Sequence, residues 1–167
     1  MAYYRGNDEK AQIEIIHSKD LLDWSQPAII KIMKYRWDDQ ISFFQGLNGT
    51  FYLFWKHYSQ RDDEYGVFGV TSQDGVNWSE ISYRIEWAPD FSITQRNNGE
   101  FILGYSVGAD IYFARSWDLI EWNKSSRLTF DLYTMYDWET HIYEGHQGNI
   151  VLTWTYGAAV LQDSYAA

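Results

Sequence analysis

Acidic side chains recur along this sequence at a spacing of about one repeat. Asp39, Asp90 and Glu139 are 51 and 49 residues apart. Each lies at, or one residue before, the start of a repeated segment whose aligned first positions are Gln40, Asp90 and Glu139. Carboxyl groups that meet in one place can act as general acid and general base. The three acids are therefore candidate catalytic residues; the alternative is that they are solvated acids at one end of the fold.

Aromatic side chains accompany these positions. Trp37, Trp87 and Tyr136 each stand three residues before the aligned polar residue. Their rings could stack on the C–H faces of a sugar, or they could pack between structural units. With Gln40 and His141, they form the candidate substrate-binding set.

Two alignments define the repeat that must position these residues. Three segments share a Ser-x-Asp-x-x-x-Trp pattern: Ser18 to Trp24, Ser72 to Trp78 and Ser116 to Trp122. Each follows a run of alternating apolar residues, which is typical of a β-strand. Glycines that precede strongly apolar strands lie 50 and 49 residues apart, at Gly49, Gly99 and Gly148.

The repeat predicts an all-β fold, a β-propeller of four-stranded antiparallel blades. One unit has an inner strand, a glycine turn, two further strands, the Ser-x-Asp turn and an outer strand. The blade repeats are approximately 1–35, 36–85, 86–134 and 135–167, within a single partial domain. The count is about 14 strands, or about 3.5 blades per chain.

The Ser-x-Asp residues are predicted to be structural. A short Ser or Asp side chain can accept backbone N–H groups and close a tight turn. The Trp that follows offers a large apolar surface for packing between blades.

The segment Ser18-Lys-Asp-Leu-Leu-Asp-Trp24 resembles a blade segment of five-bladed glycoside hydrolases of the arabinanase, xylosidase and invertase type. Trp87-Ala-Pro-Asp90, followed by the strand around Phe101 to Ser106, resembles the strand opening of the same group. Asp-box sialidases carry a similar turn, usually with one more residue between Asp and Trp. The resemblance covers nearly the whole chain as repeat architecture.

This resemblance implies a site of two Asp and one Glu at the starts of inner strands: a base or nucleophile, a residue that tunes pKa and position, and a general acid. Glycoside hydrolysis needs one ionised and one protonated carboxyl group. Asp39, Asp90 and Glu139 reproduce that order, but strict alignment places Gln40 at the first position. A shift of one residue reverses a side chain's direction in a strand, unless a bulge restores it.

Three functions remain open. The first is a carbohydrate-binding propeller module without a complete catalytic set. The second is a glycoside hydrolase acting on a neutral oligo- or polysaccharide through Asp39, Asp90 and Glu139. The third is a structural or assembly propeller without a small-molecule ligand.

Charge and composition restrict the partners. The net charge of −10 disfavours nucleic acid and anionic membrane. With no cysteine there is no thiolate chemistry, and no cofactor or metal site is predicted, although His141, Glu144 and His146 lie near one another in sequence. The first residues show no signal peptide, so a cytoplasmic location is expected.

The strand count predicts self-association. An open set of blades would expose long strand edges, so a homodimer or other assembly through the terminal strands is expected. A small four-bladed ring, or a fragment of a five-bladed enzyme, are the alternatives.

Overall fold

The computed structural model describes residues 2–7, 10–33, 40–59, 64–86, 88, 90–108, 110–124, 127–129 and 135–158. These residues form four antiparallel sheets. Apart from one 3₁₀ turn at His146–Gly148, every regular element among them is a strand. The all-β prediction is therefore confirmed.

Each sheet is one blade, and its strands follow chain order. Blade 1 contains β1 (Ala2–Asn7), β2 (Lys10–Ile15) and β3 (Ala28–Met33). Blade 2 contains β4 (Ile41–Gln45), β5 (Phe51–Ser59), β6 (Glu64–Ser72) and β7 (Tyr83–Ile85). Blade 3 contains β8 (Asp90–Gln95), β9 (Phe101–Val107), β10 (Asp110–Ser116) and β11 (Asn123–Lys124). Blade 4 contains β12 (Met135–Glu144) and β13 (Ile150–Ala158).

Blades 2 and 3 have the four-stranded composition that the repeat predicts. The described residues contain 13 strands, one fewer than the predicted count. The third strand expected in blade 4 falls in 159–167, outside the described residues.

Alternation along each strand directs side chains to one neighbouring blade or the other. On β5, Leu53 and Trp55 face blade 1 and join a buried cluster with Ile13 and Ile15. Tyr52 and Phe54 point the opposite way, into the cluster between blades 2 and 3 described next. The apolar side chains on both sides of the sheet are thus buried, which explains why these strands are almost continuously apolar.

The larger cluster lies between blades 2 and 3. Its buried members include Tyr52, Phe54, Phe91, Ile93 and Phe101. The rings of Tyr52 and Phe101 meet edge to face with centroids 5.5 Å apart, an arrangement that adds to the stabilisation from burial. This packing joins blade 2 to blade 3, the two blades that supply Gln40 and Asp90.

The three Ser-x-Asp turns have one geometry. In each, the Ser Oγ accepts the backbone N–H three residues later, and the Asp Oδ1 accepts the next two N–H groups. The residue after the Asp has a positive φ of 66°, 72° or 67°, at Leu21, Gly75 and Leu119. The structural role predicted for the Ser and Asp residues is confirmed.

These hydrogen bonds also act on the Asp carboxyl groups. The N–H groups of Asp23 and Leu22 lower the pKa of Asp20. Those of Asn77 and Val76 lower the pKa of Asp74 well below its usual range, and the pKa of Asp118 is lowered in the same way. All three turns therefore favour ionised aspartates.

The turn tryptophans do not all behave alike. Trp78 packs against the cluster between blades 1 and 2, and Trp122 packs against the cluster between blades 2 and 3. Trp24 is 40% exposed. Packing between blades is thus confirmed at two of the three positions.

Candidate functional site

The inner strands β4, β8 and β12 place the aligned polar positions at one end of the blades. We call this the starting end, because β4 and β8 begin there. The opposite end, the turn end, carries the glycine turns and the Ser-x-Asp turns. A contact of 2.9 Å from Gln73 Nε2 to Thr50 Oγ1 joins the two kinds of turn.

Gln40 lies at the first aligned position, immediately before β4. Its side-chain Oε1 accepts the backbone N–H of Phe91 in blade 3, at 2.8 Å. Its own carbonyl accepts the N–H of Lys56 at 3.0 Å and extends the β4–β5 ladder. The side-chain oxygen of Gln40 therefore joins blade 2 to blade 3. It lies where a hydrolase would have a catalytic carboxyl group.

Asp90 opens β8 and is engaged on both oxygens. Oδ1 lies 3.0 Å from Nζ of Lys56, and Oδ2 accepts the hydroxyl of Ser106 at 3.0 Å. The side chains of Lys56 and Asp90 are 21% and 32% exposed. A charged, partly accessible carboxylate with two fixed donors is thus held at the starting end.

Strand register explains this arrangement. Asp90 is paired with Ser106 across β8 and β9, and Gln40 and Lys56 occupy the equivalent positions one residue beyond the Ile41–Trp55 pair of blade 2. Both members of each pair lie on the same face of their sheet. Lys56 therefore extends toward blade 3 on the same side as Gln40, and Ser106 contacts Asp90 within blade 3. Lys56 thus brings a positive charge to the position beside Gln40.

Glu139 lies within β12, in the middle of a register irregularity. The pairing with β13 changes between Trp138 and His141, so one extra residue is accommodated there, as in a β-bulge. Thr140 is fully buried and donates its hydroxyl to the carbonyl of Gly104 at 3.2 Å. Glu139 and Tyr136 are placed by their backbone on β12; the described side chains begin at Thr140.

Of the remaining predicted site residues, His141 is exposed and is paired with Thr153 on β13. Its aligned counterparts Ser42 and Ser92 bond the next inner strand: Ser42 Oγ donates to the Ile93 carbonyl at 2.7 Å, and Ser92 Oγ accepts the Ile142 N–H at 3.1 Å. Trp37, Asp39 and Trp87 lie outside the described residues. The structure thus brings Gln40 close to Asp90, and their roles in binding or catalysis stay predictions.

Lys56 and Ser106 are the site residues that sequence reasoning missed. Neither belongs to the repeated motif. They occupy equivalent positions in blades 2 and 3, but Lys56 carries a positive charge and Ser106 a hydroxyl group. The signal that could have found them is the hairpin register across Gly49 and Gly99, which places each directly opposite a first aligned position.

The described part of the chain contains no group of three or more His, Asp or Glu side chains placed to hold a metal ion. It also contains no helix that is long and apolar enough to cross a membrane.

The fold has clear counterparts among solved structures. A protein of unknown function from Dyadobacter fermentans matches with a TM-score of 0.69 at 16% identity, covering 91% of this chain and 53% of that one. An alpha-L-arabinofuranosidase of Fusarium graminearum, solved with an iminosugar inhibitor, matches with a TM-score of 0.62 at 16% identity, covering 91% and 51%. A putative glycoside hydrolase from Parabacteroides distasonis matches with a TM-score of 0.50 at 13% identity, covering 92% and 60%.

This chain has a partial β-propeller fold like that of propeller glycoside hydrolases. At these identities the likeness is one of fold. The chain spans about half the length of the first two solved chains. No protein-family model and no curated protein matches the sequence.

Proposed function

We propose that this chain is a carbohydrate-binding β-propeller module that does not hydrolyse its ligand. The observation that carries the proposal is that the first aligned position holds Gln40 in place of a carboxylate. The Gln40 Oε1 accepts the N–H of Phe91. Lys56 then places an ammonium group beside Asp90. Among the described side chains, the starting end therefore presents a paired Lys and Asp rather than two opposed acids.

A Lys–Asp pair is suited to sugar hydroxyl groups. Asp90 offers acceptor lone pairs, while Lys56 and the amide nitrogen of Gln40 supply donors. Neighbouring donors and acceptors of this kind can bind two adjacent hydroxyls of a pyranose or furanose ring. Trp37, Trp87 and Tyr136 are proposed to stack on the ring, and His141 to contact its edge.

Support also comes from the solved structures of similar fold. The Fusarium graminearum arabinofuranosidase has been solved with an iminosugar inhibitor and with arabinobiose. A propeller of this shape can therefore present a sugar site, although function does not follow from fold. The carbohydrate ligand proposed for this chain is a neutral oligosaccharide.

Hydrolysis through Asp39, Asp90 and Glu139 is the second candidate. One specific observation favours it: the register irregularity between Trp138 and His141 lies at Glu139, and a bulge can redirect a side chain toward a site. In this alternative Asp39 would be the base or nucleophile and Glu139 the general acid, while Asp90, which retains partial exposure, would be the residue that tunes pKa and position.

The test uses neutral arabino-, xylo- and fructo-oligosaccharides. Calorimetric titration measures binding, and a reducing-sugar assay on the same mixtures measures turnover. Binding without release of reducing sugar supports the module. Release that is abolished in both Asp90→Asn and Glu139→Gln supports the hydrolase, and the absence of binding and of turnover would leave assembly as the function.

A further inference from the structure

A groove at the turn end lies between the Ser18 turn of blade 1 and the Ser72 turn of blade 2. Its volume is about 420 Å³, within the range of ligand sites in proteins. Its walls are largely apolar and include Ile15, Leu21, Trp24, Phe43 and Phe51. The rings of Phe43 and Phe51 are parallel, with centroids 6.1 Å apart.

The groove exists because Gly75 has no side chain. At the equivalent turn position of blade 3, Leu119 is 2% exposed and belongs to the cluster between blades 2 and 3. Between blades 1 and 2 that position is Gly75, and the nearest atoms that a Cβ added there would meet belong to the Phe51 ring, at 3.6 Å. The same turn therefore closes one junction between blades and leaves the other open.

The turns beside the groove also expose apolar side chains. Leu21, Leu22 and Val76 are 74%, 82% and 56% exposed. Single exposed apolar residues are ordinary, but a contiguous set beside a groove is typical of a protein interaction site. These side chains would enlarge the area that a bound segment buries.

Charge at the rim indicates the chemistry of the partner. Asp74 lines this groove, and Asp20 and Asp23 lie with Lys19 in the adjoining depression that shares Trp24. Hydrogen bonds lower the pKa of Asp74 and Asp20, so both stay ionised in mildly acidic solution. The rim is net negative, as is the chain at −10.

We propose that this groove binds a basic segment of a partner protein. An aromatic or aliphatic side chain of that segment fills the space left by Gly75, and flanking Lys or Arg side chains lie against Asp20 and Asp74. The groove is at the end of the blades opposite Asp90, so this proposal is independent of carbohydrate binding.

The test is selection of random octapeptides on the full chain, immobilised as the wild type and as Gly75→Leu. Leucine fits the backbone there, because Leu21 and Leu119 have φ of 66° and 67° at the same turn position. We expect the wild type to enrich peptides with an aromatic or aliphatic residue flanked by Lys or Arg. Gly75→Leu should bind the enriched peptides about tenfold more weakly or worse.

Two further variants keep the test decisive. Gly75→Ala adds one methyl group and leaves most of the groove open, so it should bind within a few-fold of the wild type. Leu21→Gly removes an exposed wall side chain at a position that accepts glycine, and should weaken binding about fivefold if Gly75→Leu does not fold. Absence of enrichment, enrichment of acidic peptides, or equal binding by all variants would overturn the proposal.

Discussion

Nζ of Lys56 in blade 2 lies 3.0 Å from Oδ1 of Asp90 in blade 3. The contact joins two blades at the end where their inner strands begin. It also changes the electrostatics expected of a hydrolase site, because Asp90 has a cation beside it and Gln40 occupies the position where another acid would be needed. We expect this pair to stabilise the junction between blades and to shape the candidate ligand site.

Lys56→Met should lower the free energy of unfolding by about 1 kcal/mol, since the pair is partly exposed. Lys56→Arg should retain most of the stability. Urea unfolding at low and high salt measures both effects, and a double-mutant cycle with Asp90→Asn isolates the pair from other contacts of Lys56. A coupling energy of zero at low salt would show that the pair contributes nothing.

Ser42→Ala should be more destabilising than its size suggests. The Ser42 hydroxyl donates to the Ile93 carbonyl at 2.7 Å and accepts the Ile93 N–H at 3.1 Å, and the residue is only 8% exposed. Losing both bonds leaves two backbone groups unsatisfied at the junction, at a cost of about 1–3 kcal/mol.

The matched control for that variant is Ser25→Ala. Ser25 Oγ also accepts a backbone N–H, from His17, but at an exposed site where water can replace it. Ser25→Ala should lower the free energy of unfolding by less than about 0.5 kcal/mol. Similar losses of stability in the two variants would contradict the proposed role of Ser42 between the blades.

Asp74→Asn should reduce the acid dependence of stability. The pKa of Asp74 is lower in the folded chain than the ordinary value of 3.8 for an aspartate, so its stabilisation is complete above the unfolded pKa. That stabilisation is lost as pH falls from the unfolded value toward the folded one. The wild type should exceed Asp74→Asn in unfolding free energy at about pH 6, and the difference should shrink toward about pH 2. Urea unfolding between these pH values measures it, and a constant difference would refute the turn's dependence on the ionised form.

Much of the fold follows from the sequence, because its signals are local. The Ser18, Ser72 and Ser116 turns each close through bonds that span two or three residues, so residue type and spacing predict them. The strongly apolar runs that begin at Phe51 and Phe101, each after a glycine turn, likewise predict strands. Aligning the repeats also places Gln40 at the first polar position without structural information.

The candidate site depends on contacts that no local pattern contains. The bond from Phe91 to Gln40 joins residues 51 positions apart, and Lys56 meets Asp90 across a junction between blades. The irregularity between Trp138 and His141 is a property of pairing with β13, and the groove beside Gly75 depends on what a neighbouring blade presents. Trp24, predicted to pack between blades like Trp78 and Trp122, is instead 40% exposed.

Predicted self-association through terminal strands can be examined by light scattering of the full chain. A mass of twice that of one chain, or more, would agree with the prediction. A single chain mass across a wide concentration range would contradict it.

The most direct test of the central claim is calorimetric titration of the oligosaccharide panel into the wild type and Asp90→Asn, with reducing sugar measured afterwards. Gly75→Leu, altered at the opposite end, serves as the control. The account predicts that the wild type and Gly75→Leu bind one oligosaccharide equally, that Asp90→Asn binds it about tenfold more weakly, and that no reducing sugar appears. Release of reducing sugar by the wild type, or binding that is unchanged in Asp90→Asn, would contradict it.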